Sequence, residues 1–426
     1  MRAALAFAVV AACVTPPGST DPSPGPRVEF TPAPTVEDGR AFYRSQPYYL
    51  SPIVLGTDVP AGLPDVRAST CGACHRAMYD EWKISTHARA WMDDAQFQAE
   101  LHKPRPDGGD VAWMCVNCHT PMEAQLERLV VGLEDGRLDR PVTIPNPSYD
   151  AGLQLEAITC ATCHVRDGFV LGPYGDTAAP HATRKSDHLL THDVCTRCHQ
   201  AEAEFPELVL SCAFSTGREF ESRPEGSEGD ACQHCHMPAV ARPAAVGGPE
   251  RPTRRHWFGG SLIPKRPEDE ADVAPLRDVY PDGLTARFTT LPAAVAPGAT
   301  FEVVVEYRNQ HAGHRLPTGD PERFLRIELA AMAGDVDLAV ASARVGTKYQ
   351  WHPTVEKLED NRLLPGEARS LRIEAVAPAE GAVELLLRAA KFRIADEALD
   401  HHELRGRYPA GRTFITERRT IPVVAP

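Results

Sequence analysis

Hydrophobic and polar positions alternate most regularly in the last third of the chain. Phe301, Val303 and Val305 fall on one side of a run whose other side is Glu302, Val304 and Glu306, the period of a half-buried strand. Runs of β type cover residues 300–307, 323–329, 336–340, 370–376, 382–388 and 413–424. Turn sequences such as Ala296-Pro297-Gly298 and Pro365-Gly366 lead into them. Earlier in the chain the pattern differs. Residues 79–88 read as a helix, but residues 66–260 hold mostly short helical or irregular stretches, and residues 13–65 are rich in Pro, Ser, Thr and Gly. At the very start, Met1-Arg2 precedes an apolar run from Ala3 to Ala12.

These patterns predict an α+β multidomain chain. A leader occupies residues 1–12 and a Pro-rich tether and arm residues 13–65. A helical and irregular domain follows over 66–260, then a charged, Pro-rich linker over 261–283. About seven short strands over 284–426 predict a β-sandwich of immunoglobulin-like architecture. The leader has a positive n-region and a short h-region. Ten apolar residues are too few to span a bilayer. Val10-Ala11-Ala12-Cys13 resembles a bacterial lipobox, which predicts cleavage before Cys13, lipid on its thiol and export to the cell envelope. Val14 in the next position points to the outer membrane, and the plainer alternative is an ordinary secretory leader cut further on.

Charge narrows the partners. The formal net charge is −13, which argues against nucleic acid, whose phosphates select Lys and Arg, and favours docking on basic patches of a protein partner. The 31 Gly and 39 Pro predict many turns and irregular connections.

Ten of the 12 cysteines lie in five copies of Cys-x-x-Cys-His. These are Cys71-x-x-Cys74-His75, Cys115-x-x-Cys118-His119, Cys160-x-x-Cys163-His164, Cys195-x-x-Cys198-His199 and Cys232-x-x-Cys235-His236. Each is an attachment motif for c-type haem: two thiols add across the vinyl groups and the His ligates iron. Zinc knuckles are the competitor, but four-cysteine sites use knuckles in pairs, five is odd, and zinc does not require a His after every pair. Five covalent haems over 195 residues leave roughly 39 residues each, too few for five separate apolar pockets. Porphyrins packed against one another must supply much of the interior.

Five bis-histidine irons need five more imidazoles from the other twelve His. His87 lies on the 79–88 helix twelve residues past His75, about 18 Å along a continuous helix, so it is expected to reach a neighbouring haem. His181 follows a loop placed to return over a haem. His188 and His192 stand four apart, with one expected to ligate, and His192 is the candidate. His256 closes the haem region. His314, in a loop between two predicted strands, is expected to be delivered from the β domain, with His311 as the fallback. His352, His401 and His402 read as surface residues, and Cys212 as a buried free thiol.

Cys71-Gly-Ala-Cys-His75 with Trp82, Ser85, His87 and Ala88 resembles the CxxCH…WxxSxHA pattern of the cytochrome c-554 family of multihaem cytochromes. Cys232-Gln-His-Cys-His-Met-Pro238 with His256-Trp-Phe-Gly-Gly260 resembles the CxxCHMP…HxFxG segment of related proteins, and Gly313-His314-Arg-Leu-Pro-Thr-Gly319 their GHxxPTG element. The resemblance implies bis-histidine ligation by His87, His181, His256 and His314 in an exported electron carrier. The competing expectation is an oxidoreductase of the hydroxylamine-oxidoreductase or nitrite-reductase kind, which needs one iron with an open position. Every motif here ends in His, without the Lys-ended motif of pentahaem nitrite reductases.

Overall fold

Frequent turns keep the helices short. The computed structural model describes residues 32–425 apart from Thr57 and residues 106–107, 175–176, 226–228 and 352–353. The leader, Cys13 and His352 therefore lie outside the described residues. Thr35–Pro426 form one compact unit. Among the described residues no helix is long and apolar enough to cross a membrane.

The arm is more ordered than its composition suggests. Helix Val36–Ser45 is capped by Thr35, whose hydroxyl accepts from the Asp38 backbone while the Asp38 carboxylate accepts from Thr35. Its Tyr43 is buried in a cluster with Trp113, Leu129 and Val130.

Four motifs are wound into the helical segments Ala112–His119, Cys160–His164, Asp193–His199 and Cys232–His236, and the first starts at the end of Ala68–Gly72 and finishes in the turn before Arg76–Trp82, where His75 N–H still donates to Cys71 O. Helical spacing puts the two thiols and the following imidazole on one face. Between these segments and after the last of them stand small hairpins that the hydrophobic pattern does not announce. They pair Arg128–Leu133 with Pro141–Pro145, Gln200–Phe205 with Leu210–Ser215, and Ala239–Pro243 with Glu250–Arg254. Strands of five or six residues are too short to establish an alternation in sequence.

The C-terminal region folds as two antiparallel sheets. Leu284–Thr290, Thr300–Asn309 and Ala368–Val376 form one; Glu356–Asp360, Val336–Gln350, Phe324–Ala333, Ala382–Phe392 and Gly411–Pro422 form the other, in that spatial order. Their inward residues share one core that includes Phe301, Val303 and Val305 with Ile327, Leu385 and Leu387. The strand Glu356–Asp360 was not expected from the sequence because it is a fully exposed edge with a charged sequence and no apolar face.

The segment read as a linker, 261–283, is packed rather than free. Leu262, Val273 and Tyr280 are buried with Trp257. Arg393 from the β region donates to Pro264 O and Ser261 Oγ, and Lys391 pairs with Asp282 at 2.6 Å. Its Pro and charged residues serve turns and ion pairs at the junction of the two regions.

Candidate functional site

The first four motif segments line one cavity of about 2270 Å³. Ordinary ligand pockets span about 300–1,000 Å³, so this space suits several porphyrins.

Four motif imidazoles face a second imidazole across that interior or beside it. Ring centroids are 6.5 Å apart for His75 and His181, 6.3 Å for His199 and His87, 6.3 Å for His164 and His256, and 6.2 Å for His236 and His314. Two metal–imidazole bonds of about 2.0 Å put facing nitrogens about 4 Å apart, and one ring radius at each end brings the centroids to about 6 Å. The four spacings therefore fit an iron held between each pair. His87 faces His199 of the fourth motif and not His75 of its own.

Hydrogen bonds fix which nitrogen is free. Nδ1 of His75 lies 2.7 Å from Ala244 O, that of His119 2.6 Å from Ala90 O, that of His164 2.8 Å from Leu171 O and that of His236 2.5 Å from Gly259 O. His256 and His314 make the same bond, at 2.8 Å, to Arg254 O and Arg315 O. An Nδ1 proton donated to a carbonyl leaves Nε2 with its lone pair for a metal. Burial lowers the pKa of His87 to about 3 and of His199, His256 and His314 to about 4, helped by neighbouring imidazoles. All four are thereby held in the neutral form that ligates. His199 nevertheless has accessible surface, because it lines the cavity.

Distant segments deliver the partner imidazoles. Gly62, at φ +93°, lies under Pro180 and His181, where a Cβ would strike the backbone. Glu81 accepts the His256 backbone N–H at 2.8 Å and pairs with Arg242 and Arg255 at 2.8 and 2.9 Å. His314 arrives from the loop between Thr300–Asn309 and Phe324–Ala333, while His311 is exposed.

The remaining motif histidine is His119. Among the described residues no imidazole faces it; the Phe97 ring stacks on it at 3.6 Å and 9°. His192, the sequence candidate for a fifth partner, is placed elsewhere. Its Nε2 lies 3.3 Å from Glu221 and its ring packs near Phe220, because it begins the Asp193–His199 segment on the solvent side.

The motifs also touch one another. The sulfurs of Cys71 and Cys160 stand close enough to act on one another, as do those of Cys118 and Cys198 and those of Cys195 and Cys232. First and third motifs thus abut, as do second and fourth, and fourth and fifth. Cys212 is half-buried, and desolvation of its thiol together with the field of Cys115 and Cys118 pushes its pKa well up.

Residues missed in the sequence include Phe97, Glu81 and Phe258. Phe258, at φ +58°, stands between His87 (4.4 Å) and His256 (5.7 Å), imidazoles belonging to two different pairs. Its place in His256-Trp-Phe-Gly-Gly260 was the only available signal.

Residues 70–137 match the family described as cytochrome c554 and c-prime. Among solved structures, a penta-heme cytochrome c552 from Thermochromatium tepidum is similar over 84% of this chain and 99% of its own, at 20% identity and a TM-score of 0.58. That is a likeness of fold. A CARDB domain from Pyrococcus furiosus aligns with 33% of this chain and 87% of its own at 14% identity, with a TM-score of 0.18 that carries no argument. No curated protein matches the chain. The chain resembles the multihaem c-type cytochromes of the cytochrome c554 kind.

Proposed function

We propose that this chain is an exported pentahaem c-type cytochrome that passes single electrons between redox partners at the cell envelope. The four facing imidazole pairs carry the reading, since two nitrogens on each iron leave no position there for a substrate. When bound, haem supplies one-electron iron chemistry, and the protein supplies orientation and environment. The chain's own residues orient the imidazoles through their Nδ1 bonds, and the neighbouring motifs would hold haems close to one another. The fourth motif is the junction, meeting the second through Cys198 and the fifth through Cys195. Partners are redox proteins with basic docking patches, as the net charge of −13 favours, and not nucleic acid. Lipid on Cys13 would hold the protein at the outer membrane, with the C-terminal sheets as an immunoglobulin-like module.

Low-temperature EPR of the oxidised protein is expected to show at least four low-spin ferric haems. His314→Ala should convert one of them to high spin, whereas His192→Ala should change nothing. An unchanged His314→Ala spectrum rejects the ligand set.

One observation favours a second reading. With no described imidazole opposite His119, that iron offers a position where a small ligand can bind, as a multihaem oxidoreductase requires. Carbon monoxide added to the reduced protein, with nitrite and hydroxylamine tested next, separates the readings. Binding at one haem with turnover supports the enzyme, and five unresponsive haems support the carrier.

A further inference from the structure

The loop that carries His314 rests on a short helix of the haem region, Thr216–Glu221. Thr216, Glu219 and Phe220 have the i, i+3, i+4 spacing that puts side chains on one helical face, and all three meet the loop or its surroundings. Thr216 Oγ1 lies 2.8 Å from Thr318 Oγ1, and Thr318 Oγ1 donates to Glu219 Oε2 at 2.7 Å. The other carboxylate oxygen of Glu219 accepts from Arg362 Nη1 at 2.7 Å, and Arg362 also holds Asp360. Gly313 sits against the Phe220 ring, where an added Cβ would stand 3.4 Å from two ring carbons. The Glu219 side chain is only 6% exposed and that of Arg362 15%.

We infer that Glu219 is a positioning residue for the axial ligand that the β region provides. Its two oxygens bind two separate parts of that region, the His314 loop through Thr318 and the strand-leading segment through Arg362. Removing the carboxylate leaves Arg362 held by Asp360 alone and Thr318 by Thr216 alone, so the loop loses its charged tie to the helix and is freer to lift from it. His314 would lift with it, because it stands close to Thr318 in the same loop. This inference rests on His314 facing His236 across an iron.

The test uses the full, haem-loaded chain. Glu219→Ala should raise the carbon-monoxide-binding, high-spin fraction of one haem at least about tenfold, the ratio given by only ~1.4 kcal/mol. Glu219→Gln, which retains an acceptor oxygen, should restore most of the low-spin form. His314→Ala is the reference for complete loss of that ligand. If His314→Ala moves one haem to high spin while Glu219→Ala keeps the wild-type spectrum, the positioning role is wrong and the ligand assignment stands. If His314→Ala itself changes nothing, the ligand assignment fails and this inference with it. Should Glu219→Ala not accumulate, Arg362→Gln and Thr318→Val remove the same bonds from the other side. Those two variants are expected to raise the same fraction, and a wild-type spectrum in both overturns the role.

Discussion

An imidazole that binds iron must keep its proton on the nitrogen turned away from the metal. Backbone carbonyls do this for His75, His119, His164, His236, His256 and His314, and burial keeps His87, His199, His256 and His314 neutral. The consequence for pH has a definite sign. Their folded pKa values, about 3 for His87 and about 4 for His199, His256 and His314, lie below the ordinary imidazole value of about 6.5. Between those limits the unfolded chain binds more protons, so stability is complete above about pH 6.5 and is lost progressively as pH falls toward 4. Iron on Nε2 would compete with the proton and deepen the depression, so denaturant midpoints read from the low-spin optical band should fall as pH drops below about 6.5, and a midpoint independent of pH from about 4 to 7 contradicts the account. The motif histidines were legible because two cysteines announce each one. The partners were legible only as candidates, since each pairing joins segments far apart in sequence and His192 has the same local features as a ligand. Phe97, stacked on His119, had no sequence signal at all.

Short elements acquire their roles from what they grip. Helix Arg76–Trp82 carries Glu81, whose carboxylate joins Arg242, Arg255 and the backbone of His256. Burial pushes the Glu81 pKa up, but the Arg242 hydrogen bond, the His256 N–H and the two guanidinium charges outweigh it and hold the group below its ordinary value. Glu81→Gln leaves two arginines without their counter-charge. The expected cost is about 3 kcal/mol or more, read as a lowered denaturant midpoint. Loosening of His256 should accompany it, visible as partial high-spin character at the His164 haem. A variant with wild-type stability and spectrum would show the cluster to be dispensable. None of this was readable from the sequence, because Glu81 lies on a helix whose partners enter more than a hundred residues later. The strands of the C-terminal sheets were readable where one face is apolar, as in Thr300–Asn309, and were lost where neither face is, as in Glu356–Asp360. The 261–283 segment deceived for a related reason: a few buried residues such as Val273 and Tyr280 anchor a stretch whose average is polar.

Across the molecule, the thiol contacts give the five motifs an order that differs from their order in sequence. First meets third, second meets fourth, and fourth meets fifth. The fourth stands between the second and the fifth. His199→Met should raise the potential of that haem, as His/Met ligation does, so that the first electrons added collect there. Stopped-flow reduction should then separate the remaining haems into groups with different rates. Uniform reduction of all four at the wild-type rate would remove the fourth motif from its central place.

The loan of His314 also has a bearing on how the protein is made. With this ligand set, the haem bound through Cys232 and Cys235 would gain its second nitrogen only once the chain has reached His314, some eighty residues further on, and the strands that follow have closed the sheets that carry its loop. Maturation is thus stamped into the colour of one cofactor: a chain cut short before the sheets form should betray itself by one more unsaturated iron than the full chain has, without any assay of what the finished molecule does.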